Sequence, residues 1–298
     1  MEVRCIYQAR SALGESALWS PKEKALYWLD QMRPEIHRLD PATGKDVKFA
    51  LDLPPQLGGL VPHKSGGLAL AAADGISILS AGMESRGTLV NPIAGMSHVS
   101  FNDAKCDRQG RLWAGTTDRM ETEVIGRLYR IDPDGKATSF VDGFVCSNGP
   151  SFSPDGLVMY HTCSHERVIN AYDFDGRTGE TSNRRVFATI DPAAGVSDGS
   201  TVDAEGYLWS THWGGWRITR YAPDGRIDRE IGMPVKNVTS CAFGGAEMET
   251  LFVTTASIEF TDGHWVYMDD VSFDAAPMTG AIFAIDVGIK GLPEPAFG

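Results

Sequence analysis

The chain has 298 residues, 42% of them hydrophobic and 22% charged, the proportions of a globular protein that lives in water. Its formal net charge of −12 repels polyanions, so nucleic acid and anionic membrane are excluded as expected partners. The opening MEVRCIYQARSALGESALW has no apolar core of signal-peptide length, and no later run approaches a membrane span. Five scattered cysteines (Cys5, Cys106, Cys146, Cys163, Cys241) show no zinc-site spacing. A cytoplasmic protein with reduced thiols, monomeric or a small homo-oligomer, is the expectation.

One unit recurs along the chain: a turn followed by a short apolar strand. In order the copies read SPKEKALYWLD, PHKSGGLALAA, CDRQGRLWAGT, SPDGLVMYHTC, VDAEGYLWSTH and GGAEMETLFVTT. With one anchor in each, at Tyr27, Ala69, Trp113, Tyr160, Trp209 and Phe252, the spacings are 42, 44, 47, 49 and 43 residues. A second strand follows each, as in EIHRLDPATG, RLYRIDPDG, VINAYDFDG, RITRYAPDG and AIFAIDVG, with GISILSAG a weaker version in the second copy. These alternate apolar and polar residues and end in turn signals, the period of a strand. A third strand such as KATSFVD or RRVFATI completes most copies.

Repeats of this length, each a small antiparallel sheet of about four strands, are blades. The expected fold is all-β, a six-bladed propeller occupying residues 1–298 as one domain. A long β-sandwich would not explain the equal spacing. Pairing of residues 1–6 with AIFAIDV would close the ring. Trp113, Tyr160 and Trp209 are expected on innermost strands, packed between neighbouring blades.

The residue just before an innermost strand sits at one mouth of the central channel. Counting back eleven or twelve residues from the anchors gives Glu15, Asn102, Asn148 and Asp198, with Ser240 in the sixth copy and a place near Gly58 in the second. Oxygens from Glu15, Asn148 and Asp198, completed by water or substrate, make a site for one hard divalent cation; calcium, magnesium, manganese and zinc all fit that donor set. Without a cation the two carboxylates would repel and one would protonate. Taken singly each residue reads as a turn former; recurrence at equivalent places favours the ring of ligands.

At these residues the chain resembles a known family. LGESALWSP, FNDAKCDRQGRLWAGT, SNGPSFSPDG, SDGSTVDAEGYLW, HWGGWRITRYAPDG and NVTSCAFGG together look like the gluconolactonase and regucalcin (senescence marker protein) family, in order over essentially the whole chain. The resemblance implies a six-bladed propeller with a divalent cation at the top of its channel, and hydrolysis of sugar lactones in sugar oxidation. By position it implies Glu15, Asn148 and Asp198 as metal ligands, Asn102 as a substrate contact beside the metal, and Asp103 as support for that loop. Many relatives carry an Arg two residues before the FND Asn; here that residue is Ser100. The stretch HTCSHE replaces another familiar Asp, so gluconolactone itself is an uncertain substrate.

Lactone hydrolysis needs an activated water, a polarised carbonyl and a sink for the oxyanion's charge. A bound cation supplies the last two, and Asp198, ionisable and beside it, is the expected base. With no Arg at 100, the residues expected to orient the substrate are Ser100, Asn102, Arg119, Glu121 and the His165 loop, Arg119 being the cation that would recognise an acidic or strongly polar substituent. Trp213 and Trp216 could stack on a sugar ring or simply pack. His161, His165 and His212 are expected to pack or hydrogen-bond, and the sequon at Asn237 to be idle. No Gly-x-Ser-x-Gly elbow supports a serine hydrolase. The alternatives are a non-catalytic calcium-binding or ligand-sensing propeller and a propeller hydrolase of phosphotriesters or aryl esters, whose site would include a His.

Overall fold

A computed structural model describes residues 1–261, 264–267 and 278–298. It is built of six four-stranded antiparallel sheets, and the one helical segment among the described residues is the short 3-10 turn Pro192–Ala194. Blade one runs outward through Gly14–Ser20, Ala25–Asp30, Glu35–Asp40 and Lys45–Ala50. Blades two to five repeat the order, their first strands being Leu60–Pro62, Val99–Cys106, Ser147–Phe152 and Val196–Val202. Those first strands, with Val238–Gly244 of blade six, touch one another in sequence around the axis, so the first strand of each sheet is the innermost.

Blade six is assembled from both ends of the chain. Val238–Gly244, Thr250–Thr255 and Ile282–Asp286 are joined on the outside by Val3–Tyr7, which pairs antiparallel with Val3 opposite Ile285 and Cys5 opposite Phe283. The expected closure of the ring is therefore present. It leaves the edges short and paired, which is how a radial all-β fold avoids edge-to-edge association.

The anchors are one strand further out than expected. Trp113, Tyr160 and Trp209 lie on second strands (Leu112–Asp118, Val158–Cys163, Leu208–Trp213), not on innermost ones. The innermost strands are the polar stretches before them, because a narrow channel takes Ser, Thr and Gly more readily than indole rings. The anchors remain buried between blades: Trp113 packs on Phe152 and Phe174 of the next blade, and Trp209 on Phe243.

The recurring tight turns hold those tryptophans. Asp203 accepts the amides of Glu205 and Tyr207 at 2.9 and 3.0 Å through Oδ1, and the Trp209 indole N–H at 2.8 Å through Oδ2. Asp107 does the same in blade three for Gln109, Arg111 and, at 3.0 Å, Trp113. Each buried carboxylate is balanced by an Arg, Arg220 on Asp203 and Arg111 on Asp107. The turn and the ring are thus one unit, which is why the sequence spaces them so evenly.

The C-terminal segment crosses the channel end where these turns lie. Gly291 bridges to Asp203, Phe297 is buried beside His63, and the Gly298 amide reaches the Gly110 carbonyl at 3.1 Å. Glu294 meets Lys105 at 2.9 Å beneath it. The opposite end stays free for a cavity.

Candidate metal centre and cavity

Glu15, Asn102, Asn148 and Asp198 all lie within innermost strands, near their starts, rather than in the loops before them. A strand alternates its side chains, so two consecutive residues cannot ordinarily serve the same side. A bulge removes that constraint. Pairing with the second strand is interrupted between Glu15 and Leu18, Phe101 and Asp103, Asn148 and Ser151, and Ser197 and Ser200. The same irregularity falls between Val238 and Ser240 in blade six. The repeated Asn/Asp positions are therefore bulges that turn a polar side chain toward the axis.

Blade two adds no such side chain. Its Gly58 and Gly59 pack so closely on blade three that a Cβ would stand 2.3 Å from the Phe101 Cβ and 2.6 Å from the Ala104 Cβ. Ser240 is occupied otherwise, its Oγ accepting the Ala17 amide at 3.3 Å.

A cavity of about 340 Å³ opens over these residues. Glu15, Ser100, Asn102, Asn148, Asp198, Glu121 and His165 all line it, with Leu13, Met32, Phe101 and Trp213 as apolar wall. Burial first, then the facing charges of Asp198 and Asp103, push Glu15 well above the usual carboxylate range. Burial and the charges of Asp103 and Glu121 do the same to Asp198. The nearest cation acting on Glu15, Lys105, is already paired with Glu294. Two desolvated carboxylates with no cation of their own among the described residues form a donor set that a hard divalent ion fits.

Asn148 is held for that purpose. Its Nδ2 donates to Ser164 Oγ at 2.9 Å and Ser164 Oγ donates to the Ser197 carbonyl at 2.9 Å, which fixes Oδ1 as the accepting end of the amide, with a lone pair to spare beyond the bond it takes from Asn102. Asn102 donates through Nδ2 to Asn148 Oδ1 at 2.8 Å and to the Ser147 carbonyl at 3.1 Å. Its own carboxamide oxygen is left as an acceptor. Asp103 points the other way and accepts the Gly149 amide at 2.8 Å, bracing the loop behind Asn148.

Ser100 is fully buried on the cavity wall, and its hydroxyl has no partner among the described residues. Glu121 is half-buried and bonds the His165 ring at 2.8 Å. Arg119 does not reach the cavity: its carbonyl accepts from Gln56 Nε2 at 3.2 Å, and Gln56 stands on the wall in its place. The cation on that wall is Arg167, two residues beyond His165, in the hairpin that follows HTC. Nothing in its local sequence marks it, because its place depends on a fold-back of blade four.

The other histidines are structural. His161 is buried, bonds Ser147 at 2.7 Å, and burial pushes it down to about 3. No carboxylate among the described residues orients that pair and neither residue lines the cavity, so it is no serine-hydrolase dyad. His212 is likewise buried and pushed down to about 4. Trp213 lines the cavity, whereas Trp216 is exposed. Asn237, the sequon residue, is buried with its side chain bonded to Gly214 and Ile258, which leaves no room for a glycan.

Known proteins resemble the chain over the same elements. A family model for the SMP-30/Gluconolactonase/LRE-like region matches residues 13–257. The chain is 34% identical to the 6-deoxy-6-sulfogluconolactonase of Pseudomonas putida over 302 residues, covering 99% of this chain and 98% of that one. It is 35% identical to a pentonolactonase of Haloferax volcanii, with 99% and 97% covered. A regucalcin from Agrobacterium tumefaciens, described as a calcium-binding protein, superposes with a TM-score of 0.91 at 26% identity, covering 100% of this chain and 97% of that one. The family match runs through all four bulged strands that carry Glu15, Asn102, Asn148 and Asp198, and the chain belongs to the SMP-30/gluconolactonase/LRE-like family.

Proposed function

We propose that the chain hydrolyses a sugar lactone to its aldonic acid, using one divalent cation held by Glu15, Asn148 and Asp198. The observation that carries this reading is the pair of buried, mutually repelling carboxylates beside a fixed carboxamide oxygen, at the floor of a cavity large enough for a monosaccharide. The lactonases of Pseudomonas putida and Haloferax volcanii named above support it. A non-catalytic calcium-binding platform needs the ligands but not a walled cavity above them.

When bound, the cation acts as a Lewis acid toward the lactone carbonyl and offsets the carboxylate charge. Asp198, whose carboxylate meets no donor among the described residues but its neighbouring Gly199 amide, accepts a proton at Oδ from the attacking water. Asn102 offers its carboxamide oxygen to a substrate hydroxyl, since both of its N–H donors are spent within the protein. Ser100 adds a hydroxyl with no competing partner. Leu13, Met32 and Trp213 give the cavity an apolar wall that excludes water from the face of the ring they cover.

The test is a pH-indicator screen of aldonolactones with chelated protein, re-supplied in turn with calcium, magnesium, manganese and zinc. Turnover that vanishes on chelation and returns with one or more cations is expected. Because Ser100 stands where the family resemblance implies an Arg, the best substrate is expected to be a lactone other than D-glucono-1,5-lactone. Full turnover by the chelated protein would overturn the metal-dependent mechanism.

A further inference from the structure

We infer that Arg167 is a specificity residue and that the favoured lactone carries an anionic oxygen-rich substituent, such as a carboxylate, sulfonate or phosphate, on the part of the molecule remote from its carbonyl. This rests on the lactonase reading above and deepens it.

The hairpin of residues 164–167 joins the second and third strands of blade four and serves the cavity three times. Ser164 orients Asn148, His165 bonds Glu121 at 2.8 Å, and Arg167 lines the wall. The Arg167 amide donates to the Ser164 carbonyl at 3.0 Å and its carbonyl accepts the Ile190 amide at 2.8 Å, so the backbone there is tied at both ends. Its φ of 56° is the left-handed conformation that non-glycine residues adopt in tight turns. One guanidinium nitrogen, Nη1, is moored on the Gly195 carbonyl. The side chain is half-buried and makes no ion pair among the described residues.

The charges around it make an anion the matching ligand. Glu15 and Asp198 would be offset by the cation proposed for them, and Glu121 is hydrogen-bonded by the His165 ring. The charges that bear on Asp198 are those of Asp103 and Glu121. Arg167 is a positive charge on the cavity wall whose guanidinium partner among the described residues is the neutral Gly195 carbonyl. A guanidinium fixed at one nitrogen presents its remaining N–H groups as a planar fork, which suits the paired oxygens of a carboxylate, sulfonate or phosphate better than single sugar hydroxyls. Ser100 on the third blade brings no charge to the cavity, so the cationic contact comes from Arg167 on the fourth.

The experiment compares two matched substrates on the metal-loaded protein. One is the five-membered lactone of D-glucarate, whose far carboxylate is free; the other is the five-membered lactone of D-gluconate, with a hydroxymethyl group there. Wild type should prefer the anionic lactone in kcat/KM. Arg167→Gln should reduce that preference about ten- to a hundredfold, the worth of charge-assisted hydrogen bonds, chiefly through KM of the anionic lactone. Arg167→Lys should restore part of it, and both variants should keep the wild-type Tm. A preference ratio unchanged by Arg167→Gln, or a wild type that favours the neutral lactone, overturns the inference while leaving lactone hydrolysis standing. Failure of wild type to hydrolyse either lactone, or any other, overturns both.

Discussion

Ser164 Oγ takes a hydrogen bond from Nδ2 of Asn148 at 2.9 Å and gives one to the Ser197 carbonyl, so a hydroxyl between blades four and five decides which end of the Asn148 amide faces the cavity. Without it the bond from Asn102 to Oδ1 is the main restraint left against the amide turning its N–H₂ toward the carboxylates, where a cation would have to displace it. Ser164→Ala is expected to weaken cation binding by about tenfold, the low end for residues that orient a ligand. Calorimetric titration of the chelated protein measures this. Unaltered affinity would show that Asn148 holds its orientation by other means.

Asp198→Asn and Glu15→Gln are each expected to abolish turnover while leaving the fold intact, since both side chains stand at the channel mouth outside the apolar layers between blades. Near-normal turnover by either variant at saturating metal would contradict the proposed ligand set.

The same two carboxylates should make the metal-free protein sensitive to alkali. Their folded pKa values are raised above the ordinary 4.5 and 3.8. A raised value means stability that is complete below the ordinary pKa and is lost as pH rises through the folded one. In chelator, therefore, wild type should fall below Glu15→Gln in Tm at pH 8, with the gap closing toward pH 4. Restoring the cation should lift wild type and not the variant. A gap independent of pH would mean that Glu15 and Asp198 do not destabilise one another.

Trp209 is fully buried between blades five and six and its indole N–H is bonded to Asp203. Trp209→Ala should cost about 3–5 kcal/mol, the range for deleting a large buried ring. Trp209→Phe keeps most of the packing and should lose mainly the hydrogen bond to a carboxylate, about 1.5–3 kcal/mol. Urea denaturation separates the two; equal losses would assign the whole effect to the Asp203 bond.

Glu294→Gln tests the C-terminal crossing. Lys105 and Glu294 form an ion pair whose side chains are only 10% and 17% exposed. Removing one charge leaves the other buried, which costs about 3–5 kcal/mol in comparable pairs. The double variant Lys105→Met with Glu294→Gln should recover most of that loss. If Glu294→Gln is as stable as wild type, the segment is held by Phe297 and its backbone bonds alone.

The sequence by itself determined the blade count, the four-stranded unit and the closure of the ring, because period-two alternation and turn residues act locally and repeat visibly. It also determined which Asn, Asp and Glu residues recur together. It did not determine which strand lines the axis: Trp113, Tyr160 and Trp209 stand out by size, but a narrow channel selects small polar residues and sends the rings one strand outward. Only the tertiary structure showed that Glu15, Asn148 and Asp198 reach the axis through bulges, since a bulge is a mismatch between two strands and has no signature in either one alone. The same holds for the cation of the cavity. Arg119 and Arg167 are alike in sequence, each near a turn with acidic neighbours. The placing of Gln56 on the wall, bonded to the carbonyl of one, and the return of the blade-four hairpin with the other, distinguish which of them faces the site.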